Sequence, residues 1–364
     1  MSAIGFGRNV TGGGKNPQPI KVKNGDNKGP DTLTAAIEKA NGAKRGSNLE
    51  IVIQTDIAPN DKDLEIVGVE NLTIRAERDA VLAQNHLVFK KSDNILLQDL
   101  RFVPGEVRPK RDNRPRDAIS IDGTEGRGKL GFWIDHCFFE AFFDLSVTAN
   151  TKDLKGEPPL LMTVSYCHFH DNDPGGNENP KANDTTVNHG SLGIHGAGSK
   201  NNPNDVDQET NAYATVCRNF FDHTRRRSPR SSNRTFVHAF NNVLLNWGTP
   251  DFQGYDRNQA NGMSAGHFGI LAVEANYFYA GVLIKETIEI TDKKGEEPRL
   301  LVATGDLVNQ YRNNATPAKN VGKPPIDILE EYRKGLNDKK AEIPEREPMT
   351  DALSEIIKAQ AGAR

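Results

Sequence analysis

Six short β-rich runs of similar pattern recur along the middle of the chain. Each run contains a tight polar turn, and each places an aromatic or aliphatic residue soon after an Asn, Asp or Cys. The starts of the runs are separated by about 22 to 52 residues, so a fixed short unit alternates with connections of variable length. The runs are Asn94–Phe102, Phe132–Phe139, Met162–Phe169, Ala214–Phe221, Phe236–Val243 and Leu271–Phe278.

This repeat is typical of a solenoid, in which each coil buries its apolar face only by stacking on its neighbours. Asn219, Asn242 and Asn276 suit stacked turns, because an amide can hydrogen-bond to the same position one coil away. We therefore predict an all-β fold with one domain over residues 1–364. The alternative is a β-sandwich with irregular loops.

Helical patterns lie near the two ends of the chain. Asp31 can cap a short helix whose apolar residues recur with a 3.6-residue period. Ile326–Leu336 predicts a second helix, and Thr350 can cap a third that continues through Lys358. We expect the helical segment of about 320–364 to pack on the solenoid, since such stacks need capping.

Long polar insertions interrupt the repeat. They cover Pro109–Arg116, Asn172–His189 and Gly198–Glu209. Insertions of this length are uncommon unless they are functional or disordered.

Composition excludes several classes of function. The net charge of −3 gives no support for bulk nucleic-acid binding. No stretch approaches the roughly 20 apolar residues of a membrane span. The first residues have neither a basic nor an apolar signal region, so no signal peptide is present in this chain. The chain is then either a mature form with an added start methionine or a protein that is not exported by the general route.

The three cysteines are Cys137, Cys167 and Cys217. An odd number without CxxC spacing supports neither a disulfide framework nor a zinc site. We expect buried free thiols in the core.

The strongest chemical signal is the arginine cluster from Arg225 to Arg230, followed by Arg234. It comes directly after a repeat strand, so we expect it where a strand leaves the stack. Guanidinium groups bind carboxylates bidentately, which favours an acidic ligand. A solvated basic loop or a nucleic-acid patch is the alternative, but aromatic residues for base stacking are missing.

A second signal is a group of acids on neighbouring runs. Carboxylates from adjacent coils can converge on a hard cation such as calcium, whereas a turn or a structural hydrogen bond is the alternative for any one of them. The group is Asp117, Asp122, Asp135 and Asp144.

These motifs resemble the pectate and pectin lyases of polysaccharide lyase family 1, which includes related pollen allergens. The similarity covers nearly the whole chain and implies a single-stranded right-handed parallel β-helix. The matching segments are Gly5–Gly7, Thr11–Gly14, Asp117–Asp122, Trp133–Cys137, Val164–His170, Asn219–Asp222, Arg227–Arg230, Val237–Asn242 and Ile357–Ala363.

The resemblance implies an extracellular enzyme, expected to be monomeric, that cleaves pectate or pectin by β-elimination. A base removes the C5 proton of a uronate, the C4 glycosidic bond breaks, and cations stabilise the developing charge. Arg227 matches the family base. Arginine ordinarily has a pKa above about 12, but neighbouring positive charges disfavour its charged form and lower that pKa. Arg225, Arg226 and Arg230 supply such charges, and with Arg234 and Ser191 we predict that they bind substrate.

The chain departs from the family pattern at several supporting positions. Ser232 stands where the family has a second arginine, which Arg234 replaces only if the loop is shifted. Ser191 occupies the place of a substrate-binding lysine.

The calcium set is also incomplete. Asp117 and Asp144 match family calcium ligands, but Pro115 and Thr148 replace others. We expect weak calcium binding, calcium that arrives with substrate, or none.

Two alternatives to a lyase remain. A non-catalytic uronan-binding or allergen-like protein would explain the changed calcium and lysine positions. A β-helical glycoside hydrolase needs paired carboxylates, and Asp171 with Asp173 is the close pair that the sequence offers.

Overall fold

A computed structural model describes the protein over residues 4–77, 79–103, 117–122, 131–140, 145–151, 158–170, 190–196, 210–224, 227–247, 261–266, 268–280, 286–291, 299–302, 307–309, 328–345, 347 and 349–362. The three predicted insertions lie outside these ranges, as do Asp171 and Asp173. No helix within them is long and apolar enough to cross a membrane.

Three parallel sheets carry the described strands. Sheet A consists, in spatial order, of β1 (Gln18–Val22), β2 (Leu49–Ile53), β4 (Glu70–Ala76), β7 (Asp93–Gln98), β10 (Phe132–Asp135), β13 (Leu160–Ser165), β16 (Ala212–Cys217), β19 (Thr235–Phe240), β22 (Ile270–Glu274) and β25 (Arg299–Val302). Sheet B consists of β5 (Val81–Ala83), β8 (Arg101–Val103), β11 (Phe138–Glu140), β14 (His168–His170), β17 (Phe220–Asp222), β20 (Val243–Trp247), β23 (Tyr277–Ala280) and β26 (Leu307–Asn309). Sheet C consists of β3 (Leu64–Val67), β6 (Leu87–Lys90), β9 (Asp117–Asp122), β12 (Leu145–Asn150), β15 (Gly190–His195), β18 (Arg230–Ser232), β21 (Asn261–Gly266) and β24 (Glu286–Thr291).

From β10 onward the described strands visit sheets A, B and C in strict rotation. Each turn of the chain therefore adds one strand to every sheet, and consecutive coils pair in parallel register. This is the predicted parallel β-helix, and the β-sandwich alternative is wrong.

A left-handed residue marks the corner between sheets A and B in successive coils. His136, Tyr166, Arg218 and Asn241 have φ values of 50°, 52°, 57° and 51°. Because this conformation bends the chain sharply at one residue, each predicted run divides into a sheet A strand and a short sheet B strand. The residue after the corner points into the stack.

The predicted asparagine stack is confirmed at these corners. The Nδ2 group of Asn219 donates to Asn242 Oδ1 at 3.0 Å, and the Nδ2 group of Asn242 donates to Asn276 Oδ1 at 2.9 Å. The ladder continues to Cys167, whose backbone N–H donates to Asn219 Oδ1 at 2.9 Å. Asparagine suits this position because its amide can donate to one coil and accept from the other.

Apolar ladders fill the interior between the sheets. Phe102, Phe139, Phe169 and Phe221 stack face to face, with ring centroids 4.7 to 5.4 Å apart. All three cysteines are buried and free, as expected. Burial raises the pKa of the Cys217 thiol to about 12.

The first helix, α1 (Leu33–Asn41), covers the N-terminal end of the coil stack. Its N-cap is Thr32, whose hydroxyl accepts a hydrogen bond from the backbone N–H of Ala35. The prediction of Asp31 as the cap was wrong by one residue, because Asp31 takes a left-handed φ of 57° in the preceding turn.

The other two helices pack on the sides of the stack. In α2 (Ile328–Leu336), Tyr332 stacks on Phe6 with a centroid separation of 4.2 Å. Phe6 belongs to a short 3₁₀ helix (Gly5–Gly7), where a Cβ added to Gly5 would lie 2.0 Å from Thr215 Oγ1. The last helix, α3 (Asp351–Gln360), is capped by Thr350 as predicted and rests on sheet B. The single-domain boundary of 1–364 stays a prediction.

Candidate functional site

The outer face of sheet C carries a continuous strip of polar positions, which we call the sheet C strip. Thr148, Gly193, Arg230 and Ser264 form one row of it across four coils. Neighbouring residues along each strand point into the core, as the alternation of side chains in a strand requires. The other three residues of this row are buried, so the half-buried Arg230 is its most accessible side chain.

Arg227 lies three residues before Arg230, where the chain turns into β18. Its φ is 58°, a left-handed conformation that costs a residue with a Cβ about 1 to 2 kcal/mol. The carbonyl oxygen of Arg227 accepts a hydrogen bond from Leu192 N at 3.0 Å, and Ser228 N donates to Gly262 O at 2.8 Å. Leu192 and Gly262 belong to the strands on either side of β18, so both neighbouring coils hold this turn.

A chain of buried hydroxyls supports the turn from beneath. Ser191 and Ser228 share a hydrogen bond of 3.1 Å, and Ser228 donates to Thr224 Oγ1 at 3.0 Å. All three side chains are buried. The prediction that Ser191 binds substrate stays a prediction, and its burial favours a role in positioning Arg227.

The other predicted arginines divide into three groups. Arg225 and Arg226 lie outside the described residues. Arg230 is half-buried on the sheet C strip. Arg234 lies in the turn between β18 and β19 and is only 7% exposed, which leaves little of it for contact with a polysaccharide. Binding of substrate by these residues remains a prediction.

Sequence reasoning missed His195, in the next row of the sheet C strip. His195 is half-buried, lies opposite Ser232 on β18, and shares a hydrogen bond of 2.7 Å between its Nδ1 and the Ser232 hydroxyl. Ser232 is the position at which the family pattern has a second arginine. A histidine from the adjacent coil therefore lies beside the position where that arginine is absent. The sequence did contain a signal for it. Ile194 is apolar and buried, so the next residue of the strand, His195, is expected on the opposite, outer face of the sheet.

Asp117 is the only one of the two predicted calcium ligands within the described residues, since Asp144 lies outside them. It is 9% exposed, and both of its carboxylate oxygens already accept hydrogen bonds. Leu145 N donates to Oδ1 at 3.1 Å, and the Ser120 hydroxyl donates to Oδ2 at 3.0 Å. Calcium prefers six to eight oxygen ligands, so the described residues of this region do not by themselves form a calcium site.

Asp135 does not belong with Asp117, because β10 is part of sheet A. It is fully buried, accepts a hydrogen bond of 2.7 Å from the Ser165 hydroxyl, and pairs with His136 Nδ1 at 2.7 Å. Trp133 Nε1 donates to Ser165 at 2.9 Å. The Trp133–Cys137 motif thus fixes a corner of the scaffold.

A second group of titratable side chains lies on sheet B. His168 and His170 alternate with the buried Phe169 on β14, and Asp222 lies opposite His170 on β17. Sequence reasoning did not connect them, because 52 residues separate His170 from Asp222. The His-x-His alternation on one strand was the signal that could have shown it.

The sequence matches the family model described as pectate lyase over residues 7–299. No protein with curated function matches it.

Several solved structures share the fold. A pectate lyase from Paenibacillus sp. 0602 superposes with a TM-score of 0.64 at 14% identity, covering 100% of this chain and 96% of the other. The major cedar pollen allergen jun a 1 gives a TM-score of 0.61 at 18% identity, with 100% and 93% covered. A pectate lyase from Bacillus sp. N165, solved in complex with trigalacturonate, gives 0.58 at 15% identity, with 100% and 99% covered.

Proposed function

The chain belongs to the pectate lyase family, and on that premise we propose that it cleaves polygalacturonate or methyl-esterified pectin by β-elimination. The observation that carries the proposal is the placement of Arg227, the residue that matches the family base. It lies in a turn that both adjacent coils hold, three residues before the half-buried Arg230.

Arg227 is the proposed base. In its neutral form it takes the C5 proton of the bound uronate, the electron pair of that C–H bond forms the C4–C5 double bond, and the C4–O bond breaks. The leaving oxygen takes up a proton and the guanidinium of Arg227 releases the one that it took, so the reaction consumes no water. The arginines around it disfavour the charged form of the base and also attract the anionic polymer.

The sheet C strip orients the substrate in this proposal. Arg230 can hold a uronate carboxylate bidentately, which makes the adjacent C5 proton more acidic. His195 can donate a hydrogen bond to the same chain one coil away. Neighbouring parallel strands lie about 4.8 Å apart, so a polysaccharide that crosses the coils can reach Arg230 on β18 and His195 on β15.

A divalent cation such as calcium, when bound, would neutralise the uronate carboxylate. Asp117 and Asp144 are the residues that would hold it. With Thr148 in place of an acid and both oxygens of Asp117 engaged, calcium held jointly by protein and substrate fits better than a preformed site.

A pectin-degrading enzyme acts outside the cell, so we also propose that the protein is secreted. We further propose that it is a monomer and that its partner is an acidic polysaccharide.

The competing function is a non-catalytic uronan-binding protein on the same scaffold. The absence of the family's lysine at Ser191 and of an acid at Thr148 is the observation that favours it.

The test is ultraviolet absorbance of unsaturated uronide on polygalacturonate and on pectins of graded esterification, with calcium or with a chelator. We expect Arg227→Ala to lower the rate by at least about 100-fold while polymer binding in affinity electrophoresis persists. Arg45→Ala is the matched control, because Arg45 is an exposed arginine paired with Glu70 at the N-terminal end of the stack. Binding without product on every uronan would support the non-catalytic protein, and a full rate in Arg227→Ala would refute the assigned base.

A further inference from the structure

His168, His170 and Asp222 bring three potential metal ligands together on the outer face of sheet B. One ligand atom from each residue lies within 4.8 Å of the other two. The closest approach given by the hydrogen bonds is 3.2 Å, between His170 Nδ1 and Asp222 Oδ2. Two adjacent coils hold the three residues, because β14 and β17 pair in register.

The donor set suits a borderline divalent transition ion. Two imidazoles and one carboxylate are typical zinc ligands, whereas calcium takes oxygen ligands only. Ligand atoms about 2.1 Å from a tetrahedral ion lie about 3.4 Å from one another. Side-chain rotations that move the ligand atoms by about an ångström would therefore bring them to that separation. Three protein ligands leave a fourth position for water.

His168 is prepared to act as a ligand. Its Nε2 atom is buried and has no hydrogen-bond partner among the described residues. A buried nitrogen without a partner is costly in the metal-free protein, and an ion would satisfy it.

A fourth residue orients the carboxylate. His223 Nδ1 contacts Asp222 Oδ1 at 2.7 Å, which leaves Oδ2 facing His170. An outer hydrogen bond of this kind is the usual support of a metal-binding carboxylate.

We propose that His168, His170 and Asp222 bind one divalent transition ion of the zinc type, and that the ion anchors the start of the Arg227 segment. Asp222 is the last residue of β17, and Thr224, two residues later, accepts the hydrogen bond from Ser228 beneath Arg227. Fixing Asp222 to β14 therefore fixes one end of the turn that carries Arg227. The site does not depend on the proposed lyase activity.

The test is calorimetric titration of tag-free, chelator-treated protein with Zn²⁺, together with visible absorption on titration with Co²⁺. We expect saturation at one ion per chain, tetrahedral Co²⁺ bands, and a higher melting temperature with Zn²⁺. Absence of saturable binding would overturn the proposal.

His168→Phe is the variant of choice, because Phe138 and Phe220 occupy the same position in the coils on either side and the variant should fold. We expect it to bind Zn²⁺ at least tenfold more weakly and to lose the Zn²⁺-dependent rise in melting temperature. His86→Ala is the control, since His86 also contacts a carboxylate, Asp63, at 2.8 Å but forms part of no described metal-ligand cluster. Equal affinity in His168→Phe and the unaltered protein would refute the site.

Discussion

Asn242 is the central residue of the asparagine ladder, and its replacement tests how the coils are held together. Its side chain takes part in five hydrogen bonds. Oδ1 accepts from the backbone and side-chain nitrogens of Asn219 at 3.1 and 3.0 Å. Nδ2 donates to Val216 O, Phe240 O and Asn276 Oδ1 at 2.9, 3.2 and 2.9 Å.

Asn242→Ala removes all five bonds, but the consequences for the partners differ. The Nδ2 group of Asn219 keeps its bond to Val164 O, and Asn276 Oδ1 keeps the backbone N–H of residue 242. The backbone N–H of Asn219 loses its acceptor while fully buried. The orphaned buried donor costs about 1 to 3 kcal/mol and the two N–H groups that Nδ2 shares among its three acceptors contribute about 1 kcal/mol each, so we expect a loss of about 3 to 5 kcal/mol.

The assay is equilibrium urea unfolding, followed by tryptophan fluorescence and far-ultraviolet circular dichroism, with the m-value compared between variants. Asn60→Ala is the control, because Asn60 accepts one hydrogen bond from Lys62 N in an exposed turn, and we expect a loss below about 0.5 kcal/mol. A loss for Asn242→Ala within the range of this control would refute the ladder as a source of stability.

Three further predictions test the site, the core and the last helix. His195→Ala should lower turnover of polygalacturonate about tenfold, through loss of a hydrogen bond to substrate, whereas Arg45→Ala should leave it unchanged in the same absorbance assay. The three thiols should resist alkylation at pH 8 in the native protein and react fully in urea. Because burial raises the folded-state pKa of Cys217 above its unfolded value, its protonated thiol stabilises the fold below about pH 9 and this contribution is lost as the pH rises toward 12. Thr350→Ala should cost about 1 kcal/mol in urea unfolding, since its hydroxyl accepts the hydrogen bond from Leu353 N at the start of α3; a loss no larger than that of an exposed threonine elsewhere would contradict its role as a cap.

The fold was predictable because its constraints recur in every coil. Each coil needs a corner residue, an inward residue after it and an apolar strand, and the repeat shows all three at positions such as Arg218, Asn219 and Phe221. The six repeated runs contain strands of sheets A and B but none of the sheet C strands. The sheet C strands are separated from the others by connections of different length, so no fixed spacing relates β15 to β18.

The site was only partly predictable, because each of its residues occurs once. The motif located Arg227, but nothing in the sequence indicates that Ser191 is buried under it. His195 lies beside Ser232 only because β15 and β18 pair in one particular register, and that register depends on the number of residues in the connections. His170 and Asp222 meet for the same reason.

The backbone of Arg227 shows most directly how the stacked coils hold a residue of the candidate site in place. A left-handed conformation at a residue with a Cβ is unfavourable by about 1 to 2 kcal/mol, so the turn would relax unless its surroundings held it. Leu192 N and Gly262 O hold the backbone from the two adjacent coils, and the buried hydroxyl of Ser228 fixes the next residue. A base that must reach one C–H bond gains more from such fixed placement than from additional charge, because misplacement by an ångström can cost about 100-fold in rate. In the proposed mechanism, Ser191 would replace the charge of the family's lysine with a hydroxyl that supports the turn of Arg227 through Ser228, so the exchange would preserve the positioning of the proposed base.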